Sequence, residues 1–358
     1  MAPPIYSTSN PWDQNFQSYT AIIDVRSPAE FVEDHIPGAV NFPVLDNEER
    51  ALVGTIYKQQ SPFEARKIGA ALVSKNIGRH LESHFLDQPK SFHPLIYCWR
   101  GGQRSNSFAT VLSQIGWQTT LLVGGYKTYR NYVQQSLDHL SLKLPLRILC
   151  GYTGSAKTKL LQILKQENFQ VLDLEALASH RGSLLGQMWT ETPQAQPSQK
   201  WFESQLLAQL KTFDLTRPIW VESESKTIGN VHLPKSLWEN MGRSPVVEVV
   251  LPLAERVQLL MAEYPHLIEK PEILKQLLSY LTPRYGKQKI QTWYDLIDTQ
   301  QWPAFVSAIL EEHYDPTYRR SLPYHFQVPQ QTIHLENLKP ANIQSFIKAI
   351  AQFELPSQ

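Results

Sequence analysis

Short apolar runs alternate along this chain with segments whose apolar residues recur at helical spacing. In the first half, apolar runs at 20–26, 94–97 and 117–123 flank a helical pattern at 61–76. Strands that alternate with helices in this order are typical of a parallel sheet covered by helices. The second half repeats the arrangement, with predicted buried strands at 146–150, 169–173, 218–222, 246–251 and 331–335. The pattern therefore predicts an α/β fold.

Two domains are expected, because residues 135–145 show no core pattern and separate the two sets of strands. A chain of 358 residues also suits two domains of ordinary size. We predict an N-terminal domain with a parallel sheet over residues 15–137 and a second α/β domain over 145–355. A mostly helical segment, at about 254–320, is predicted as an insertion between the last two strands of the second domain.

Charge and cysteine content narrow the function classes. The 34 Lys and Arg residues nearly balance the 33 Asp and Glu residues, which gives a net charge of +1, so any nucleic acid must bind a local basic patch. Two cysteines give no disulfide framework and favour a reducing compartment. The first residues lack a basic stretch followed by an apolar one, and no run approaches the roughly 18–20 apolar residues of a membrane span. We therefore expect a cytoplasmic protein without membrane contact.

Cys98 is the main candidate for a reactive group. It follows the predicted strand 94–97 and opens a Gly-rich loop, Trp99-Arg100-Gly101-Gly102-Gln103-Arg104, ahead of a helical pattern. Such a loop can turn several backbone N–H groups toward one point, where they hold an anion and lower the pKa of a thiol. The two arginines favour the same outcome and argue against burial in an apolar core. We predict a nucleophilic thiolate, whereas Cys150, which ends an apolar run, is interpreted as core packing.

Other interpretations of this loop stay open. Five residues separate Cys98 from Arg104, a spacing that also occurs in dual-specificity phosphatases. A phosphatase is disfavoured because Tyr97 stands where those enzymes have His, and because the loop offers no acid to protonate a leaving oxygen. An inert core thiol is the remaining alternative. Asp24 and Arg26, at the end of the first predicted strand, either brace the loop by hydrogen bonds or take part in binding.

A second anion-binding pattern starts at Gly151. The run Gly151-Tyr152-Thr153-Gly154-Ser155-Ala156-Lys157-Thr158 matches the phosphate-binding Walker A loop, with Ala156 where the second glycine is usual. It lies after a predicted strand and before an amphipathic segment, as that loop requires. Its backbone N–H groups would cradle a diphosphate and Lys157 would neutralise it. The alanine costs little only if its φ is negative, and a chance Gly- and Ser-rich helix cap is the alternative.

Acidic residues near this loop suggest a place for a cation. Thr158 could hold Mg²⁺ together with Glu222, which ends a predicted strand, and Glu224 is its rival. Solvated loop carboxylates are the alternative for both. No adenine-binding pattern can be read from the sequence, so the loop predicts a diphosphate rather than ATP. The predicted diphosphate-binding residues are Gly151, Thr153, Gly154, Ser155, Ala156, Lys157 and Thr158.

The first half of the chain resembles rhodanese (sulfurtransferase) domains. The resemblance rests on four motifs in the family's order, which are Asp24-Val25-Arg26-Ser27-Pro28-Ala29-Glu30-Phe31, His35-Ile36-Pro37-Gly38-Ala39, the Cys98 loop and Gly124-Gly125-Tyr126. It implies a rhodanese-like fold over most of residues 15–137 and a cysteine that carries a transferable chalcogen atom. The Cys98 loop is one residue longer than in common sulfurtransferases, which implies a larger guest.

The whole chain resembles the tRNA 2-selenouridine synthases, in which a rhodanese domain precedes an altered phosphate-loop domain. This resemblance implies an N-terminal rhodanese-like parallel sheet followed by a P-loop NTPase-like α/β domain with a helical insertion. The further motifs that carry it are Glu48-Glu49-Arg50-Ala51-Leu52-Val53-Gly54-Thr55-Ile56-Tyr57-Lys58-Gln59, Asp173-Leu174-Glu175, His180-Arg181-Gly182-Ser183, Gln199-Lys200-Trp201-Phe202-Glu203, Glu222-Ser223-Glu224-Ser225-Lys226-Thr227-Ile228-Gly229 and His313-Tyr314-Asp315-Pro316-Thr317-Tyr318.

The resemblance implies a transferase that acts on the wobble 2-thiouridine of tRNA in two stages. The sulfur is first alkylated by geranyl diphosphate, and selenium from selenophosphate then replaces the S-geranyl group to give 2-selenouridine. Cys98 would carry the selenium as S-selanylcysteine. Asp173, Arg181 and Glu222 are candidates for further contacts at the second site. The residues expected to bind selenophosphate are Arg100, Gly101, Gly102, Gln103 and Arg104.

The same resemblance sets the expected cofactors and partners. No tightly bound cofactor is expected, and Mg²⁺, if used, would be held by Thr158 and Glu222. The expected partners are a tRNA, through an anticodon loop with 2-thiouridine at the wobble position, and an enzyme that supplies selenophosphate. A solvated face of mixed charge is the alternative to a tRNA-binding patch on the helical segment. The basic candidates for that patch are Lys270, Lys275, Arg284, Lys287, Lys289, Arg319 and Arg320.

The apolar chain of geranyl diphosphate would need a walled groove. The candidates for its walls are Trp189, Trp201, Phe202 and Trp220, with plain core packing as the alternative. Two functions of other classes also stay open. One is a rhodanese-type sulfur relay protein with an ATP-dependent P-loop domain, which ATP turnover without RNA would indicate. The other is a sensing module without enzymatic activity, which an unreactive Cys98 would favour.

Overall fold

The computed structural model describes residues 3–10, 12, 18–181 and 196–354. Within these ranges the chain divides into two units. The first consists of Met1–Ser136 and Ser198–Ala208, and the second of Leu137–Pro197 and Gln209–Gln358. No helix of the described residues is long and apolar enough to cross a membrane.

The first unit is built on a five-stranded sheet in which every paired strand runs parallel to its neighbour. The strand order is β1-β5-β4-β2-β3, so β4 lies in the middle. Parallel strands buried on both faces are continuous apolar runs, and all four residues of β4 are accordingly buried. The strands are β1 (Ile5–Thr8), β2 (Ala21–Asp24), β3 (Val40–Asn41), β4 (Pro94–Tyr97) and β5 (Thr119–Leu122).

Helices connect these strands, as a parallel sheet requires. They bury a core that includes Ile96, Phe108 and Leu112. A short π-helical turn, Leu81–Phe85, continues the third helix and places Phe85 in the same core. The helices are α1 (Pro28–Glu33), α2 (Asn47–Gln59), α3 (Pro62–His80), α4 (Gln103–Ile115) and α5 (Gly125–Ser141).

The second unit contains another five-stranded parallel sheet, in the order β12-β11-β6-β8-β7. Strand β6 lies in the middle, and β8 and β7 follow it on one side. A two-stranded antiparallel hairpin lies between β8 and β11 in the sequence. The strands are β6 (Leu146–Cys150), β7 (Gln170–Leu172), β8 (Ile219–Glu222), the hairpin β9 (Thr227–Ile228) and β10 (Val231–His232), β11 (Val246–Val250) and β12 (Gln331–His334).

The helices of the second unit fall into two sets. One set covers the sheet around a core that includes Leu160, Val247 and Phe346. The other set lies between β11 and β12 in the chain and buries a core of its own around Trp293. The helices in the second half of the chain are α6 (Lys157–Gln166), α7 (Leu174–Ala178), α8 (Gln199–Leu210), α9 (Lys235–Arg243), α10 (Leu253–Glu263), α11 (Pro265–Glu269), α12 (Pro271–Ser279), α13 (Thr282–Asp298), α14 (Trp302–Ile309), the π-helical turn Leu310–Tyr314, α15 (Asp315–His325) and α16 (Pro340–Glu354). Of these, α8 belongs to the first unit as far as Ala208.

The predicted α/β class, with a rhodanese-like parallel sheet followed by a P-loop-like α/β unit, is confirmed. Both sequence motifs lie where strands end in the middle of a parallel sheet. Cys98 follows β4, and Gly151 follows β6. The carboxyl edge of a parallel sheet is where ligands of such folds bind, so each unit presents a candidate site at this edge.

Candidate functional site

The Cys98 thiol lies in the loop between β4 and α4. The backbone N–H of Gly102 donates a hydrogen bond to its sulfur at 3.3 Å, and the Ser105 hydroxyl lies 3.2 Å from it. The Cys98 side chain is only 3% exposed and adjoins the apolar core of the first unit. The expectation that two arginines would keep this thiol out of the core is therefore wrong. The sulfur nevertheless faces the polar donors of its own loop.

These donors set the pKa of the thiol. Burial alone would raise the pKa of Cys98, because it penalises the charged thiolate. Hydrogen bonds from the Ser105 side chain and from backbone N–H groups, together with the positive charge of Arg104, outweigh burial and lower the pKa below its ordinary value. The loop therefore has the electrostatics that the sequence predicts for a nucleophilic thiolate.

The two arginines of the loop differ in their surroundings. Arg104 is largely buried, and its guanidinium pairs with the carboxylate of Glu30 at 2.8 Å. Arg100 is exposed at the rim of the loop. Glu30 also accepts a hydrogen bond from the backbone N–H of Ser27 and closes the capping box of α1. An anion at this loop would compete with Glu30 for Arg104.

Two glycines allow the loop to pack against the start of α5. A Cβ atom on Gly125 would lie 2.2 Å from the Cys98 carbonyl oxygen, which no side chain can tolerate. The backbone N–H of Tyr126 donates to that same carbonyl at 2.8 Å. Gly101 has a φ of +67°, in the region that glycine adopts without strain. The Gly124-Gly125-Tyr126 motif therefore holds the cysteine loop in place.

Asp24 and Arg26 brace the first unit. Both are fully buried, and the Arg26 guanidinium donates to the Asp24 carboxylate and to the Asp34 carbonyl, at 2.6 Å in each case. The same guanidinium lies over the Tyr126 ring, 4.0 Å from its centre. The bracing interpretation of this pair agrees with these contacts.

The phosphate loop connects β6 to α6 in the second unit. Lys157, the first residue of α6, donates to the carbonyl oxygens of Gly151 and Tyr152 and lies 3.3 Å from a Glu222 carboxylate oxygen. The backbone N–H of Gly151 donates to the Tyr318 hydroxyl at 2.7 Å. The Ser155 hydroxyl is buried and has no hydrogen-bond partner among the described residues. An anion in this loop would satisfy that hydroxyl, so the residues fit a phosphate group.

Ala156 caps α6 in a left-handed conformation, with a φ of +63° and a ψ of +20°. An alanine at this position would cost little only if its φ were negative. That condition is not met. A Cβ atom in this region of φ and ψ is strained. The backbone shape is still the one that a glycine would adopt, so the substitution strains the loop without changing its course.

Three carboxylates meet at the carboxyl edge of β8 and β7. Glu175, Glu222 and Glu224 bring their oxygens within 4.8 Å of one another. The Thr158 hydroxyl lies 2.9 Å from Glu222 and 3.1 Å from Glu175. Burial and the charge of Glu222 raise the pKa values of Glu175 and Glu224. Oxygen ligands of this kind and density suit a divalent cation such as Mg²⁺, which would relieve the repulsion.

Glu175 is a site residue that the sequence reasoning did not single out. It follows β7, which pairs with β8, and β8 ends at Glu222. The strand order that makes these ends neighbours is not readable from apolar runs alone. Asp173, by contrast, was named and is the N-cap of α7, where its carboxylate accepts from the backbone N–H of Ala176 at 2.9 Å.

A cavity of about 620 Å³ connects these groups. The phosphate loop and the three carboxylates line one part of it, together with Asp173 and Arg181. The Arg181 guanidinium lies 3.7 Å from the Glu263 carboxylate and over the Tyr264 ring at 5.1 Å. The structure therefore brings all the named residues of the second site except Gly151 to one cavity within the second unit.

The three candidates for a geranyl groove that the structure describes do not line this cavity. Phe202 and Trp220 are fully buried core side chains, and the Trp220 indole N–H donates to Glu354. Trp201 stacks on His35 with ring centres 4.1 Å apart, within the first unit. Trp189 lies outside the described residues. The core-packing alternative therefore holds for Phe202 and Trp220.

The basic residues of the helical segment are of two kinds. Lys275 pairs with Asp298, and Lys289 pairs with Glu312, each at 2.5 Å. Arg319 and Arg320 are exposed on α15, next to Tyr318 and Ser321, which line the large cavity. Arg319 donates to the Tyr152 hydroxyl of the phosphate loop. The mixed-charge alternative fits the two lysines, whereas the two arginines border the candidate site.

Comparisons with known proteins agree with this arrangement. The sequence model described as tRNA 2-selenouridine synthase AAA domain matches residues 144–332, and that of the rhodanese-like domain matches 10–132. A tRNA 2-selenouridine synthase of Nitrosomonas europaea is 41% identical over 254 residues, which are 70% of this chain and 64% of that protein. One of Bdellovibrio bacteriovorus is 34% identical over 355 residues, with 86% and 90% coverage. One of Sulfurovum sp. is 32% identical over 328 residues, with 84% and 88% coverage.

The fold and the two sites define a two-unit α/β protein with a cysteine loop on one sheet and a phosphate loop on the other. Its similarity to the Nitrosomonas protein spans 64% of that protein's length, whereas the similarity to the Bdellovibrio protein spans 90%. With the first family model covering more than half of the chain, the chain belongs to the tRNA 2-selenouridine synthase family.

Proposed function

We propose that the protein converts the wobble 2-thiouridine of tRNA to 2-selenouridine through an S-geranyl-2-thiouridine intermediate. The observation that carries the proposal is that one chain holds two anion-binding loops, each at the carboxyl end of a central parallel strand. One loop holds a thiol whose pKa is lowered. The other holds a lysine and an unsatisfied buried hydroxyl. Family membership supports the substrate assignment.

The phosphate loop would carry out the geranylation. Sulfur of 2-thiouridine attacks the carbon that bears the diphosphate of geranyl diphosphate, the carbon–oxygen bond breaks, and diphosphate leaves. Negative charge grows on the leaving diphosphate in this step, so Lys157 and the loop N–H groups would stabilise the transition state. Thr158, Glu175 and Glu222 would hold Mg²⁺ if the reaction uses it, and the ion would neutralise further charge on the diphosphate.

The cysteine loop would carry out the selenation. Its N–H groups and Arg100 would bind selenophosphate, and the Cys98 thiolate would attack its phosphorus, which releases the selenium as selenide and leaves the phosphoryl group on the sulfur until water removes it as phosphate. The selenide then attacks C2 of the S-geranyl nucleoside, and geranyl thiolate leaves. Cys98 would carry the selenium itself, as S-selanylcysteine, only with a two-electron oxidant such as a disulfide, and a thiol would then return the two electrons. The lowered pKa of Cys98 supports this role because the thiolate is the reactive form of cysteine.

Two variants test the assignment of one stage to each loop. Cys98→Ala should abolish selenium incorporation and leave geranylation of 2-thiouridine largely intact, and Cys150→Ala is the matched control. Cys150 is fully buried, and burial raises its pKa to about 11, so it should contribute to neither stage. Lys157→Ala should reduce geranylation by about 10²-fold and spare selenation of RNA that is already geranylated. Mass spectrometry of the wobble nucleoside measures both.

Two results would contradict the proposal. Selenouridine formed at the normal rate by the Cys98 variant would remove that residue from the mechanism. Steady ATP hydrolysis coupled to RNA modification, without any dependence on geranyl diphosphate, would favour the sulfur relay protein with an ATP-dependent domain.

A further inference from the structure

A second cavity of about 70 Å³ lies in the helical segment of the second unit. Its walls come from α10, α11, α12, α14 and the π-helical turn after α14. Thr153 contributes its short polar side chain, and every other lining residue among those described is aliphatic, aromatic or methionine. None of these lining residues is charged. The cavity is therefore suited to an apolar guest.

This apolar cavity adjoins the phosphate-loop cavity. Thr153, Leu260 and Tyr264 line both. The loop also touches the apolar wall directly, because a Cβ atom on Gly154 would lie 3.0 Å from the Leu260 side chain. If the phosphates of a ligand occupy the loop, the atoms attached to those phosphates therefore lie beside an apolar surface.

The walls of the apolar cavity are incompletely buried. Leu267, Leu274, Phe305 and Ile309 form the closed core of the helical segment. Five further lining side chains are apolar but only half-buried; they are Leu260, Met261, Ile268, Trp302 and Val306. Covering this apolar surface would be favourable. A guest that enters from the phosphate loop would cover it.

We propose that this cavity holds the far end of the hydrocarbon chain of a diphosphate ester, beside Met261, Ile268 and Val306, while the diphosphate occupies the phosphate loop and the rest of the chain lies against Leu260. At about 70 Å³ the cavity has room for only part of a ten-carbon chain. The inference rests on the proposed function for the choice of a prenyl chain. A nucleobase is a poorer occupant, because its edge carries donors and acceptors that would be buried without partners. The cavity is then the feature that makes the loop select an alkyl diphosphate over a nucleotide.

Binding measurements on the full chain test this proposal. The probes are inorganic diphosphate, dimethylallyl diphosphate and geranyl diphosphate, measured by calorimetry. Affinity should rise with chain length, by up to about four-fold for each methylene that becomes buried. The cavity proposal is overturned if geranyl diphosphate binds no more tightly than inorganic diphosphate. It is also overturned if ATP competes with geranyl diphosphate at equal affinity.

A matched pair of variants on α14 locates the chain. Val306→Phe fills the cavity, whereas Ala304→Phe adds a similar ring at an exposed position of the same helix. Val306→Phe should lower the affinity for geranyl diphosphate about ten-fold or more, because the cavity cannot hold both the phenyl ring and the hydrocarbon chain. Its affinity for inorganic diphosphate should stay within about two-fold, and Ala304→Phe should change neither. Equal effects of the two variants would overturn the proposal.

A second pair covers the case in which the larger side chain impairs folding. Met261→Gln keeps the volume but adds an amide to the wall, and Ala262→Gln places the same amide at the exposed neighbouring position. Only Met261→Gln should weaken the binding of geranyl diphosphate, by about five-fold or more.

Failure of the cavity proposal is distinguishable from failure of the proposed function. If wild-type protein geranylates RNA and Val306→Phe does so with an unchanged KM, the cavity proposal alone fails. If wild-type protein transfers no geranyl group, the proposed function fails, and the binding ratios still decide the cavity proposal.

Discussion

At the scale of single residues, Cys98 shows how a thiol with 3% exposure can still have a pKa below its ordinary value. Burial in an apolar core normally raises the pKa of a cysteine, as it does for Cys150. Cys98 follows the buried strand β4 and Cys150 ends the buried strand β6, and they differ in the loop that comes next. In the Cys98 loop, the backbone N–H of Gly102 and the hydroxyl of Ser105 both form hydrogen bonds with the sulfur.

The Ser105 hydroxyl is predicted to be one of the main causes of the lowered pKa. Ser105→Ala removes its hydrogen bond, so the pKa of Cys98 should rise and less thiolate should be present at neutral pH. The ultraviolet absorbance of the thiolate, followed against pH and corrected with Cys98→Ala, measures the shift. Ser107→Ala is the control, because that exposed hydroxyl bonds only to the Gln103 carbonyl of its own helix. An unmoved titration in Ser105→Ala would contradict this account.

Ala156 is strained in the phosphate loop, and the strain predicts a stabilising substitution. Its φ of +63° is in the left-handed region, where a Cβ atom costs about 1–2 kcal/mol. Ala156→Gly should therefore raise the free energy of unfolding by up to about 1 kcal/mol, after the greater freedom of glycine in the unfolded chain is subtracted. The same change at Ala351, exposed on α16, should lower it by about 0.5–1 kcal/mol. Urea denaturation measures both, and changes of the same sign would contradict the assignment of strain.

At the scale of helices and strands, the sequence predicts which strands exist better than it predicts which strands are neighbours in the sheet. The runs at 94–97 and 146–150 became β4 and β6 at the same bounds, because a fully buried parallel strand is a short apolar run with sharp polar ends. Strand order depends on how connecting helices cross the sheet, which no local pattern records. For that reason Glu222 could be named and Glu175 could not. No local sequence pattern predicts that Ser198–Ala208 belongs to the first unit either.

One ion pair ties two helices to the phosphate loop. The Arg256 guanidinium, on α10, donates to the Thr153 carbonyl at 2.9 Å and to both carboxylate oxygens of Asp315, on α15. Arg256 is 4% exposed, and a bidentate geometry of this kind is specific to arginine. The pair therefore fixes the position of the loop relative to the helical segment, within the second unit.

Arg256→Lys tests this link, because it keeps the charge and loses the fork of donors. It should lower the free energy of unfolding by about 2 kcal/mol, since Asp315 and the Thr153 carbonyl cannot both be satisfied by one ammonium group. It should also weaken the binding of inorganic diphosphate. Arg243→Lys, at an exposed position at the end of α9, should leave both quantities unchanged. Equal midpoints of urea denaturation for the two variants would contradict the link.

At the scale of the whole molecule, the net charge of +1 means that the proposed binding of RNA would depend on where the positive charges are unopposed. Lys275 and Lys289 each lie against a carboxylate, so the field that they present to a phosphate backbone is reduced. Arg319 and Arg320 are exposed beside the cavity that holds the phosphate loop. A tRNA that places its wobble base at that cavity would bring its backbone near α15. Lys275 and Lys289 should therefore contribute less to a basic patch than the sequence suggests.

The salt dependence of tRNA binding separates these two pairs of basic residues. Each phosphate contact that is lost lowers the slope of log affinity against log salt by about 0.7–0.9. The double variant Arg319→Ala and Arg320→Ala should therefore lower the slope by about 1.5 and weaken binding at low salt. The double variant Lys275→Ala and Lys289→Ala removes the same total charge from ion-paired positions, and we expect its slope to stay close to that of the wild type. Equal losses for the two double variants would show that the RNA contacts the helical segment as a whole, and a loss confined to the lysines would place the RNA away from the phosphate-loop cavity.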